Sequence, residues 1–222
     1  MNRRNFVKSS TIISFALIAG IKSKAVALGQ TVNARFEDYK QKIILLVTGL
    51  KSEGSNLVKK IMNGKKYVFD PFTHYPYDGG IKDKTTGCQL FFHAHRENEY
   101  GHFHTFATDE NGDLVHLLLI SMNTQGEPIG LATVNRWVAG DKYVKADVLK
   151  KFAGSFYVDP TLFEEKRVVE FVNYIFKAFP EEINNLFDER DKWISEYAGK
   201  NYREPFEDRE FEVISYREII LR

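Results

Sequence analysis

The chain has 222 residues, with 31 Lys/Arg against 30 Asp/Glu and a formal net charge of +1. No stretch reads as a basic arm, and the acidic excess left once the first 27 residues are removed argues against a nucleic-acid partner. Cys88 is the only cysteine, so an intramolecular disulfide and any cysteine-rich zinc or iron–sulfur site are excluded, and Cys88 itself reads as a small buried apolar residue.

The first 27 residues have the three parts of a cleavable export signal. Met1 to Ser10 is basic through Arg3, Arg4 and Lys8. Thr11 to Ile21 is mostly apolar but too short to span a hydrocarbon layer of ~30 Å. Ala25-Val26-Ala27 gives the small-x-small pattern of a signal-peptidase site. Arg3-Arg4-Asn5-Phe6-Val7-Lys8 resembles the twin-arginine consensus, with Asn2 where a Ser or Thr is usual. That resemblance implies export of an already folded protein to the periplasm, a route shared by many proteins that acquire a metal or cofactor first. Cleavage removes five of the 31 Lys/Arg and none of the 30 Asp/Glu, leaving a mature net charge of −4. The mature chain contains no second long apolar run, so no transmembrane segment is expected in it.

The expected mature domain is a single α+β unit over 28–222, with a helical arm at 28–64, a sheet at 65–140, helices at 141–200 and a tail at 201–222. Ala34 to about Lys51 reads as a helix, with Phe36, Tyr39, Ile43, Leu46, Val47 and Leu50 three or four apart. A shorter helix, Ser55 to Met62, stops at Asn63-Gly64. Tyr67-Val68-Phe69 reads as a short strand and Asp70 to Gly80 as an aromatic loop. Four β-like segments follow, at about Gly87–His95, His102–Thr108, Leu114–Met122 and Ile129–Val138, separated by turn signals. The C-terminal third reads as helical. Lys145 to Phe152 forms one helix, Asp159-Pro160 starts a longer one with Asp159 as N-cap, and Pro180 opens another that ends near Gly199. Phe211 to Leu221 is β-rich and is expected to return as an edge strand. The fold class is therefore α+β, an antiparallel β-meander with helices packed on one face, leaving the other for loops or a ligand.

All six histidines lie between His74 and His116, and four of them fall in twelve residues, from His93 to His104. Residues i and i+2 of a strand share a face about 6.5–7 Å apart. His93 and His95 therefore point one way, as do His102 and His104. With a loop over Arg96–Gly101, His95 faces His102, His93 faces His104, and all four imidazoles share one face of a hairpin. The opposite face carries Leu90, Phe92, Ala94, Phe103 and Ala107, suited to packing under helices. This pattern predicts a divalent transition-metal site that draws two to four ligands from His93, His95, His102 and His104, with Glu99 or Glu97 as a carboxylate ligand. Imidazole suits Zn, Fe, Cu or Ni, and a carboxylate ligand favours Fe, Mn or Zn. A shared ion asks for ligand nitrogens about 3–4 Å apart. A hairpin face leaves its solvent side open, and whether the site is catalytic stays open with it. The alternative is a metal-free histidine and aromatic face that docks a small molecule or a protein. No organic cofactor is implied.

Two resemblances bear on this site. Gly87, His93-x-His95 and Glu99 are spaced as in the first half of the cupin metal motif. Its closing Gly is replaced by Phe106, and Thr133 stands where the fourth ligand belongs. Over most of the mature chain, the stretch His93 to His104, Asn135-Arg136-Trp137-Val138 and Leu186 to Asp191 resemble an uncharacterised bacterial family, a domain of unknown function. That resemblance implies a shared site and no particular substrate.

The remaining candidates divide by type. His116 joins the cluster if the loop after Thr108 has an odd number of residues and leaves it if the number is even. His74 is placed to cap the site or to lie on a loop surface. Trp137 reads as core and Arg136 as the partner of a surface carboxylate, with anion binding and ligand stacking as the functional alternative. Asp188, Arg190 and Asp191 read as a solvated or ion-paired helix face. No nucleophile elbow, phosphate loop or dinucleotide fingerprint is present.

Overall fold

The computed structural model describes residues 34–221 apart from 141, 202 and 203. The expected signal segment, its expected cleavage site and the linker after it lie outside the described residues. The chain divides into two compact units, 1–38 and 39–222. Of the first only 34–38 are described, and they are helical.

The second unit is built on one antiparallel sheet. Its strands are β1 (Asp70–Tyr75), β2 (Ile81–Lys82), β3 (Gln89–Ala94), β4 (Gly101–Thr108), β5 (Leu114–Met122), β6 (Pro128–Val134) and β7 (Val213–Glu218). They run in the order β1-β3-β4-β5-β6-β7, with the short β2 also paired to β3. The sheet is open, since β1 and β7 do not meet, so the cupin half-motif does not extend to a closed barrel.

Five helices pack on one face of this sheet. They are α1 (39–52 within this unit), α2 (Leu57–Met62), α4 (Ala146–Ser155), α5 (Lys166–Ala178) and α6 (Pro180–Asn201). Each contributes to one continuous core through Ile43 and Leu50, Leu57 and Ile61, Leu149, Phe171 and Val172, and Leu186 and Phe187. These meet Leu90, Phe92, Phe103, Leu118, Ile120 and Leu131 from the sheet. The alternation of the strands sets which side chains enter, and Phe103 bridges the layers, 5.2 Å from Phe92 and 5.8 Å from Phe171 by ring centroids. The caps follow composition. Asn56 Oδ1 accepts from Lys59 N at 2.8 Å to open α2, and Asn63 closes it in the left-handed region at φ 49°.

Several local expectations are corrected. The Tyr67–Phe69 strand is displaced to β1, inside the expected loop. The Asp70 carboxylate holds a turn by accepting from Phe72 N and Thr73 N at 2.7 and 2.6 Å, after which Tyr75 buries against Phe92. The fourth segment ends at Val134, because Asn135 caps a four-residue helix, α3 (Arg136–Ala139), by accepting from Arg136 N at 2.8 Å. Asp159 does cap a turn, but only the 3₁₀ turn Pro160–Leu162. Phe163 is extended and buried there, so α5 restarts at Lys166. The C-terminal segment returns as edge strand β7, as its composition suggests.

On the second face of the sheet, α3 covers only one end. Leu119, Ala132 and Val134 pack there against Val138 and Ala139. The other end carries the histidines.

Candidate metal centre

The β3–β4 register brings the histidine rows together in a different pairing from the one expected. His93 stands opposite His102, and Phe91 opposite His104. The offset is two residues, so every side chain keeps its face. Strand β3 ends at Ala94, which leaves His95 as the first residue of the 95–100 connection. His95 still reaches back over the sheet, with ring centroids 4.7 Å from His93 and 5.0 Å from His102. His93 and His102 are 4.5 Å apart.

Both histidines that the sequence leaves open join the array. The connection after Thr108 has five residues, since Thr108 pairs with Leu114. This odd length sets His116 opposite Phe106, on the face of His104, and His104 Nδ1 and His116 Nε2 share a hydrogen bond of 2.7 Å. His74, on β1, lies 4.3 Å from Phe91 and 5.5 Å from His93 by ring centroids. All six imidazoles are thus linked by ring contacts, with Phe91 and Phe106 stacked among them at 5.6 Å.

Within the array, His93, His95 and His102 are the three that can hold a metal ion. One ligand nitrogen from each lies within 4.8 Å of the others. Metal–nitrogen bonds of about 2.0–2.1 Å need nitrogens about 3.3–3.6 Å apart, so closing on an ion draws the rings inward by about 1 Å. His104 lies 4.8 Å from both His93 and His102 by ring centroids and spends its Nδ1 on His116. The Glu99 carboxylate is bonded to His102 Nδ1. It therefore fixes the ring and tautomer and leaves Nε2 as the atom that would face a metal ion, as in a carboxylate–histidine–metal arrangement.

Four of the six nitrogens of this trio are buried and without protein partners. His93 Nδ1 and Nε2, His95 Nε2 and His102 Nε2 make no hydrogen bond. Buried polar atoms are almost always paired, because an unmade hydrogen bond costs about 1–3 kcal/mol. Four such atoms on three touching rings match the donor set of a transition-metal site.

Electrostatics favours the ligating form. Burial, then His102 and His95, pushes the His93 pKa from 6.5 down to about 2, against a small opposing pull from the Pro71 carbonyl outside hydrogen-bond geometry. Burial holds His102 and His104 well below 6.5, and burial, His102 and Arg190 take His116 to about 3. Burial also lowers His95 and His74, with Glu212 opposing at His95 and Asp78 at His74. The imidazoles are therefore neutral near pH 7, as a metal requires. Burial raises the Glu99 pKa, opposed by the Ser121 hydroxyl, Arg96 and His95.

The other candidates have structural roles. Arg136 pairs with Glu207 at 2.7 Å and lies over the Phe206 ring, while Trp137 Nε1 donates to the Phe211 carbonyl at 3.1 Å. Asp191 accepts from Ala146 N at 2.7 Å and Asp188 from Lys150 Nζ at 2.6 Å, so that corner of α6 anchors the start of α4. Cys88 is buried in the core. Thr133 bonds Ser215 at 2.7 Å on the helix side and supplies no ligand. Sequence reasoning missed Arg96, Ser121 and Glu212, which surround the trio. Arg96 follows His95 directly, whereas Ser121 and Glu212 arrive from β5 and the segment before β7 and carry no local signal.

Comparison with curated proteins and with solved structures gives no match. The model of one family, Domain of unknown function (DUF6969), does match, over residues 37–219. That span contains all seven strands and all six histidines, and the chain belongs to this family.

Proposed function

We propose that this protein is exported by the twin-arginine route and holds a divalent transition-metal ion in the periplasm on His93, His95 and His102. The observation that carries the metal reading is the set of four buried, unpartnered imidazole nitrogens on three touching rings. An all-imidazole donor set suits Zn, Cu, Ni or Fe, and Glu99 supplies orientation from behind His102. Three protein ligands leave a coordination position open, as in catalytic rather than closed structural sites. The export reading rests on Arg3-Arg4 and the apolar segment that follows.

Elemental analysis of protein folded in the cytoplasm tests the metal. Near-stoichiometric metal is expected, along with a melting temperature that falls on adding chelator. Protein that binds no metal when supplied with it, and melts identically with chelator, refutes the reading in favour of a metal-free docking face. Export is tested by replacing Arg3 and Arg4 with Lys. The full-length precursor should then stay in the cytoplasm, and an unchanged periplasmic yield would rule out the twin-arginine route.

A further inference from the structure

We infer that the open side of the three-histidine centre takes a small monocarboxylate, held between the metal ion and Arg96. The inference rests on the metal-binding reading above and concerns what else the site is built to hold.

Its starting point is where the unmade hydrogen bonds lie. Among the described residues, the buried side-chain polar atoms without a partner belong to His93, His95, Arg96, His102, Ser121 and Glu212. These residues all surround one place. A metal ion accounts for imidazole nitrogens, which are Lewis bases. It cannot account for Arg96 Nη1, a donor that a cation repels, while the Ser121 hydroxyl faces the Glu99 carboxylate without hydrogen-bond geometry. Something that accepts hydrogen bonds is needed beside the ion.

Arg96 is the key group. Its Nη1 lies 3.6 Å from Glu99 Oε2 and its Nε lies 3.3 Å from Glu212 Oε1, ion-pair distances that leave Nη1 unbonded. It follows His95 in the chain, and its charge bears on both His95 and His102. Ser121 enters from the neighbouring strand, directly opposite His102 in the β4–β5 pair. Tyr216 adds a wall from β7, its ring lying where a Cβ on Gly130 would be.

Charge fixes the class of ligand. Neutral imidazoles add nothing to a divalent ion, Glu99 contributes one negative charge, and Arg96 and Glu212 offset each other. The centre is left with one net positive charge, one negative charge short of neutrality, in a setting that screens it poorly. A monoanion restores balance and a dianion overshoots. A carboxylate also has the right shape. One oxygen takes the open coordination position, and the other accepts from the planar guanidinium and the Ser121 hydroxyl.

The test uses full-length mature protein loaded with Co(II), whose visible ligand-field bands report the coordination sphere, titrated with sodium acetate. Wild type should show a saturable spectral change, with phosphate binding more weakly than acetate. Arg96→Gln should bind Co(II) with little change but acetate about tenfold or more weakly, the loss of a charge-assisted hydrogen bond. Arg96→Lys, which keeps the charge without the fork, should fall between them and guards against a folding defect in the glutamine variant. No spectral response to acetate in wild type, or equal acetate affinity in wild type and Arg96→Gln, overturns the inference. Tighter binding of phosphate than of acetate overturns the carboxylate assignment. Absence of Co(II) bands altogether refutes the metal reading itself, and the two failures are thereby distinguished.

Discussion

Replacing His93 with leucine should make the metal-free protein more stable and the metal-loaded protein relatively less so. Both His93 nitrogens are buried without a partner, and the ring packs against His74, Phe91, His95, His102 and His104. In the absence of metal each unmade hydrogen bond costs about 1–3 kcal/mol. A volume-conserving apolar replacement removes that cost and loses less than about 1.5 kcal/mol in fit. With two such atoms the net gain is about 0.5–6 kcal/mol, or roughly 1–24 °C of Tm at about 2–4 °C per kcal/mol for a domain of this size. Wild type recovers the deficit only by binding. Free metal at a hundred times its Kd adds about 2.7 kcal/mol, which the variant cannot gain. Thermal melts of both proteins should therefore show the variant's lead in chelator shrinking or reversing in excess Zn(II). A His93→Leu variant that melts below wild type in chelator would refute the reasoning, because the His93 nitrogens must then be satisfied within the protein.

Acid should destabilise the metal-free protein below about pH 6.5. The folded chain keeps His93 neutral down to about 2 while the unfolded chain takes up a proton near 6.5. The unfolded state thus binds more protons across that window, and stability falls with pH by up to about 1.4 kcal/mol per unit for this group. Urea midpoints at pH 7.5 and 5.5 check this, and equal midpoints would contradict it. Glu99→Gln should reduce metal affinity about 10–100-fold by loosening His102, with the far-UV spectrum unchanged; unaltered affinity would remove Glu99 from the site. Gly101→Ala should cost about 1–3 kcal/mol. Gly101 has φ +151°, and a Cβ there would sit 2.8 Å from the His93 carbonyl oxygen and against the Phe92 ring. A neutral effect in chemical denaturation would show that the strand entering the histidine row tolerates a side chain.

The face of each histidine was legible because a strand has a period of two. His93, His102 and His104 must share a side if Phe92 and Phe103 are to be buried, and any even error in register preserves this. The two-residue offset itself was invisible, since the 95–100 connection carries no signal for its length. His116 depended on the parity of one loop, which Asp109 fixes by accepting from Asn111 N and Asp113 N at 2.9 and 3.0 Å. Asn135 was read as strand because the apolar run from Ile129 to Val138 has strand composition, and its cap shows only once Arg136 N is set against its side chain. Arg96 lay in view but unremarked, because the worth of a charged loop residue appears only when Glu99, Glu212 and Ser121 arrive from elsewhere.

The offset that takes His95 off strand β3 leaves the three ligands unequal. Two are clamped by ladder hydrogen bonds in the middle of a sheet, and the third rides on a short connection at its rim. Of the three, His95 would be the ligand freest to move, and His93 and His102 would keep their places in the ladder. Exchange of a bound ion would then be governed by the opening of the 95–100 connection rather than by the sheet. Stiffening that connection would slow exchange without touching a ligand.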